Sequence, residues 1–251
     1  MAKILQVTAL TKYFGGLKAL DHCNFEVEEN SITALIGPNG AGKTTTFDIV
    51  SGLLKASTGK ILFKYEDITT LPVHQRAARG IVRTFQNIRL FPELSVLENI
   101  MVAFPEYPGT FWDNFRPLSS KLSALKKRAL DLLKIAQLHD LANHRADSLS
   151  YGQKKLLEIL RSVATGAELL LLDEPAAGVN RTMLHHIIDC IKLLQKEGKT
   201  ILLVEHDMGF VMNVCEKIIV MNFGKDIAHG SPEKIQKNKA VLEAYLGKKK
   251  Q

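Results

Sequence analysis

The stretch "ITALIGPNGAGKTTTFDIVSGLL", Ile32–Leu54, passes from a short apolar run through a glycine loop into a helical pattern. Its centre carries the spacing G-x-x-x-x-G-K-T, from Gly37 to Thr44. Glycines let a backbone approach a phosphate closely. Successive N–H groups can point inward, and the helix that follows adds the positive end of its dipole. Lys43 is expected at the β- and γ-phosphates of a nucleotide, and Thr44 at a Mg²⁺ ion. The strand–loop–helix context separates this motif from a chance match. The candidate phosphate-binding residues are therefore Gly37, Pro38, Asn39, Gly40, Ala41, Gly42, Lys43, Thr44 and Thr45.

Working outward, two further apolar runs end in polar residues. "LLLLDEP" (Leu169–Pro175) ends in two carboxylates, and "ILLVEHD" (Ile201–Asp207) ends in an acid, a histidine and a second acid. Runs of four or five apolar residues bounded by turn signals suit strands buried on both faces of a parallel sheet. Helical spacing separates them: in "TMLHHIIDCIKLLQKEG", Met183, Leu184, Ile187, Ile188, Ile191 and Leu194 share a face, and Gly198 is a plausible stop. The alternation implies an α/β fold whose ligands sit beyond the carboxyl ends of the strands. All three polar clusters fall there.

Lys43 and Asp173 are 130 positions apart, far more than one crossover needs. The intervening "SVLENIMVAF", "LSALKKRALDLLKIAQL" and "KKLLEILRSVATG" are helical in pattern. Residues 87–165 are expected to form a helical subdomain inserted in the sheet domain, which comprises 1–86 and 166–251. The first thirty residues alternate as antiparallel strands do and are expected to form a side sheet.

Composition is that of an ordinary globular chain: 251 residues, 46% hydrophobic and 24% charged, with a net charge of +7. That charge decides nothing alone; a solvated basic surface accounts for it. Cys23, Cys190 and Cys215 are far apart with no ligand spacing, which argues against a disulfide framework or a zinc site. No signal peptide and no uninterrupted apolar stretch of about 18 residues is present, so the chain is not expected to cross a membrane itself.

Asp173 at a strand end beside the phosphate loop can hold Mg²⁺, and Glu174 can polarise an attacking water. His206 could donate to a γ-phosphate. In "LSYGQKKLLEIL", Ser150 stands three residues before Gln153 with capping-box spacing, and Leu156, Leu157, Ile159, Leu160 and Val163 give a helical face. This is a capped helix, but Ser150, Gly152 and Gln153 at its N-terminus also form a second anion site.

The glycine loop, "FQ" at Phe85–Gln86, "LSYGQ", "LLLLDEP" and "EHD" resemble, in order and spacing, the motifs of ATP-binding-cassette (ABC) ATPases over nearly the whole chain. The resemblance implies a P-loop fold, ATP with Mg²⁺, and a head-to-tail dimer with two ATP molecules at the interface. Each would lie between the phosphate loop of one subunit and the "LSYGQ" helix of the other. It also implies that Gln86 links Mg²⁺ and the attacking water to the helical subdomain, which touches a membrane permease. Phe14 matches the aromatic that stacks on adenine, with the adjacent Tyr13 as the alternative. Two positions depart from the broad pattern: Tyr151 replaces a glycine of the signature and Asn180 replaces an aspartate.

"RTFQNIRLFPELSVLENIMVA", "LDEPAAGVN", "VEHDMGFVM" and "LEAYLG" look like the longer ATPase of branched-chain (hydrophobic) amino-acid uptake. That implies a permease, a second ATPase subunit and a solute-binding protein as partners, no nucleic acid, and a peripheral place on the cytoplasmic face of the inner membrane. The ATPase of lipopolysaccharide export and soluble cofactor-assembly ATPases are the rival readings. "FPEYPGTFWDNFRPL" sets Phe104, Tyr107, Phe111, Trp112 and Phe115 within twelve residues. It reads either as a loop packed on its own helices or as a patch that docks the permease.

Overall fold

The computed structural model describes residues 2–84, 88–107 and 118–246. Period-two alternation at the start of the chain produces a long hairpin, β1 (Lys3–Phe14) and β2 (Leu17–Glu28). β3 (Ile32–Ile36) leads through the glycine loop into α1 (Lys43–Ser51). Next come β4 (Thr58–Phe63), β5 (Glu66–Asp67), α2 (Val73–Ala78) and β6 (Ile81–Arg83). From there to Ala164 the described regular elements are helical: α3 (Val96–Met101), α4 (Leu118–Ile135) and α5 (Tyr151–Ala164), with 3-10 turns at His139–Leu141 and Ala146–Ser148. β7 (Leu169–Asp173), α6 (Arg181–Lys196), β8 (Thr200–Val204), α7 (Met208–Val214), β9 (Lys217–Asn222), β10 (Lys225–Gly230), α8 (Pro232–Gln236) and α9 (Lys239–Leu246) complete the order.

Two sheets result. The first is antiparallel, in the order β2-β1-β4-β5; the second runs β10-β9-β3-β8-β7-β6 and is parallel except for its β10 edge. The three apolar runs of the sequence are β3, β8 and β7, side by side and parallel. The sequence reading missed β9, which flanks β3 on the other side, and it missed β4 and β5, which complete the side sheet.

The central strands serve two cores at once. Along β7, Leu169 and Leu171 face one cluster while Leu170 and Leu172 face the other; Ile201 to Val204 and Ile218 to Met221 alternate in the same way. One core holds the antiparallel sheet and α1, through Phe47, Ile49 and Val50. The other holds the helices, through Ile100, Leu133, Leu160, Ile191 and Phe210. This is the period-two geometry of a strand applied to a sheet covered on both faces.

Local chemistry sets the helix ends. Ser95 and Glu98 form a capping box at α3, and Ser150 and Gln153 form another at α5. Asn180 caps α6 by accepting from the Met183 N–H at 2.9 Å, so the asparagine serves as the N-cap an aspartate would provide. At the C-terminus of α1 the buried Arg76 guanidinium donates to the carbonyls of Ile49 and Val50 at 2.6 and 2.8 Å. These are last-turn carbonyls, of which that of Ile49 also takes the Gly52 N–H at 3.1 Å.

Candidate functional site

Strand register brings the polar clusters together. Leu35 pairs with Val204, and Val204 pairs with Asp173, so β3, β8 and β7 end in one row. The glycine loop leaves β3, Glu174 follows β7, and Glu205 and His206 follow β8 at that edge.

The loop's shape depends on its glycines. Gly37 has φ +151, and a Cβ there would lie 2.1 Å from the Met221 carbonyl oxygen. At Gly42, the left-handed N-cap of α1, a Cβ would come within 2.7 Å of Leu20. Lys43 folds back over the loop, with Nζ donating to the carbonyls of Gly37 and Pro38 at 2.7 and 2.9 Å. Burial lowers its pKa, and the Glu174 carboxylate partly opposes that shift. The Thr44 side chain is exposed, whereas Thr46 is buried and donates to the Gly42 carbonyl at 3.0 Å.

Beside the loop lies a cavity of about 350 Å³, lined by Asn39 to Thr45, His206, Leu17, Lys18, Ala19, Phe223 and Gly224. Phe14 and Tyr13 stand half-exposed at the end of β1 and do not line this cavity. Phe223, 84% exposed on the β9–β10 turn, does, and the sequence reading did not single it out. Ser150, Gly152 and Gln153 also lie outside the cavity, at the start of α5. Gly152 is covered by Met183, whose Cγ would lie 2.0 Å from a Cβ at that position. Tyr151, which stands where the signature has a glycine, packs its ring on Gly178. Gln86 lies outside the described residues, as do Phe111, Trp112 and Phe115. Of that aromatic stretch, Phe104 is buried beneath the Arg128 guanidinium, and Tyr107 packs on the same core.

Asp173 is 11% exposed, and its Oδ2 accepts from Arg83 Nη2 at 2.7 Å; Arg83 also pairs with Asp48 on α1. The His206 Nε2 lies 3.0 Å from Glu174 Oε1. Glu174 has φ +49, a left-handed conformation that costs a non-glycine residue about 1–3 kcal/mol. Its backbone is pinned: its N–H donates to the Val204 carbonyl at 3.0 Å, and its carbonyl accepts from Lys155 Nζ at 2.7 Å. Glu205 is 3% exposed; it takes the Ala176 N–H at 2.6 Å on Oε1 and the His206 N–H at 3.0 Å on Oε2. Burial raises the Glu205 pKa, and burial lowers that of Lys155, against the fields of Glu205, Glu174, Glu158 and Asp173.

A Mg²⁺ ion needs hard oxygen donors and binds through one or two protein groups plus substrate phosphates. The exposed Thr44 hydroxyl beside the phosphate loop and the Asp173 carboxylate at the end of β7, here paired with Arg83, are donors of that type. Among the described residues no cluster of three or more His, Cys, Asp or Glu could hold a metal ion.

Comparison with known proteins gives the same picture. The family described as "ABC transporter" matches residues 20–177, and the one described as "Branched-chain amino acid ATP-binding cassette transporter" matches residues 227–250. The chain is 41% identical to the high-affinity branched-chain amino acid transport ATP-binding protein BraF of Pseudomonas aeruginosa, over 97% of this chain and 98% of that one. It is 42% identical to LivG of Escherichia coli, described in the same words, over 97% and 98%. A crystal structure of the ADP conformation of an ATP-binding cassette of an ABC transporter superposes with a TM-score of 0.85 at 33% identity, covering 99% of this chain and 100% of that one. A dimeric cassette in a post-hydrolysis state, bound to ADP and Pi, gives a TM-score of 0.74 at 27% identity, covering 91% and 98%.

Proposed function

The chain belongs to the ABC transporter ATP-binding family, and from that membership we propose that it is the ATP-hydrolysing subunit of an importer of branched-chain amino acids. The observation that carries the solute class is the match of residues 227–250 to the branched-chain amino acid cassette family, together with full-length similarity to two such ATPases. Residues 1–86 and 166–251 form the nucleotide-binding part on this reading, and 87–165 form the helical subdomain that meets the permease. The partners are the permease, a second ATPase subunit and a solute-binding protein. On this reading the subunit sits peripherally on the cytoplasmic face, held by the permease; no described helix is long and apolar enough to cross a membrane.

The site residues divide the work by charge and position. Gly37–Thr45 wrap the phosphates with backbone N–H groups, and Lys43 exchanges its two loop carbonyls for phosphate oxygens. Thr44, Asp173 and Gln86 would hold Mg²⁺, which neutralises charge on the β- and γ-phosphates when bound. Glu174 accepts a proton from the attacking water, and His206, already against that carboxylate, keeps it aimed and reaches the γ-phosphate. Phe14 stacks on adenine. Ser150, Gly152 and Gln153 of the second subunit close over the same nucleotide. ATP thus joins two subunits, and its hydrolysis lets them part.

Reconstitution tests the reading. Proteoliposomes holding this subunit with its permease and solute-binding protein should accumulate labelled leucine only with internal ATP. ATP hydrolysis without uptake of any branched-chain amino acid would overturn the solute assignment and leave the ATPase intact.

A further inference from the structure

Glu174 carries the reaction's base in a strained backbone, and one of the contacts holding it comes from an unexpected place. Lys155 lies on α5, the helix opened by "LSYGQ", and is only 7% exposed. Its ammonium donates to the Glu174 carbonyl at 2.7 Å and reaches the Pro175 carbonyl at 3.4 Å. One turn earlier on α5, the Tyr151 ring packs on Gly178, where a Cβ would lie 3.1 Å from Cε1. Glu205, just after β8, holds the Ala176 N–H. The segment from Glu174 to Gly178 is therefore clasped between α5 and the end of β8. A buried lysine bonded to main-chain carbonyls loses much of its hydration, which a methionine of similar volume would not. What the ammonium adds here is a directed hold on a carbonyl whose residue sits at φ +49.

We propose that Lys155 is a positioning residue for the hydrolytic reaction: by bonding the Glu174 carbonyl it fixes the left-handed turn that aims the Glu174 carboxylate at His206 and the attacking water. The proposal rests on the assignment of Glu174 as base. It also ties that base to the helix whose N-terminus faces the second subunit's nucleotide, so placement of α5 and aim of Glu174 are one mechanical unit.

The test is a double-mutant cycle on the full-length protein, read as ATP turnover, with melting temperature followed throughout. Lys155→Met should lower kcat by about 10- to 100-fold with KM for ATP within about threefold, because the group acts on the transition state through Glu174. Lys155→Arg, which keeps charge and donors, should recover most of that loss. In a Glu174→Gln background, Lys155→Met should cause no further fall, since a residue acting through another is non-additive with it. The double variant should still form an ATP-bound dimer on a sizing column. Should Lys155→Met prove insoluble, Lys155→Gln takes its place.

An additive loss, a lost dimer, or equal damage from Lys155→Arg would make Lys155 a support for α5 and overturn the proposal. Normal kcat in Lys155→Met beside an inactive Glu174→Gln would overturn it alone. Normal turnover in Glu174→Gln would overturn the base assignment, and this proposal with it.

Discussion

His206 Nε2 lies 3.0 Å from Glu174 Oε1, so the imidazole beyond β8 holds the carboxylate beyond β7 across neighbouring parallel strands. Glu174→Gln keeps size and one hydrogen-bond acceptor but removes the carboxylate proposed as base. ATP should still bind while turnover falls by about two or more orders of magnitude. At saturating ATP this variant should elute as a dimer. Monomeric elution with near-normal turnover would contradict both the role and the two-subunit site.

Lys43 is the loop's own cation, held on two of its carbonyls. In Lys43→Ala the phosphate charge is no longer offset, and productive Mg-ATP binding should be abolished. Titration calorimetry measures this directly. Unchanged affinity and turnover would remove the loop from the site.

Arg83 bridges Asp173 and Asp48 with a side chain only 9% exposed. Arg83→Met leaves two carboxylates facing each other without their shared cation. The expected loss is about 3 kcal/mol, toward the lower end for a broken buried pair because Asp48 keeps contact with water. Denaturant unfolding reads it; a loss under about 0.5 kcal/mol would show that the bridge contributes nothing measurable.

The thiols of Cys23, Cys190 and Cys215 are all buried, and burial pushes each up to about 12. Since the thiolate is the reactive form, native protein at pH 8 should show essentially no fast-reacting thiol, and three after denaturation. A rapidly titrating thiol in the native state would contradict that burial.

The residues that end apolar runs were legible in the sequence because each run is a strand with its chemistry at the carboxyl end. Asp173, Glu174 and His206 were singled out this way, and Lys43 by the spacing of the glycine loop; the structure sets the strands that carry them side by side. Ser150 and Gln153 were legible as a capping box, and they form one. β9 escaped because no acid or histidine follows its run, and β6 is only three residues long. Lys155 reads in sequence as one of two adjacent surface lysines; only the packing of α5 near β7 turns it inward to the Glu174 carbonyl. Arg83 and Asp173 are 90 positions apart, and Glu205 and Ala176 are 29 apart, with no local pattern linking either pair. Such partners belong to tertiary register, which period and spacing do not encode.

The alternating strand faces also bear on how such a subunit can diverge. Leu170 and Leu172 answer to the helices, and Leu169 and Leu171 to the antiparallel layer, so the sheet works as a bulkhead between two compartments. Substitutions in separate compartments share few partners, and their effects on stability tend to add. The helical layer can therefore be relined residue by residue on its own side. The compartment that seats α1, and with it the phosphate loop, keeps its fillings unchanged.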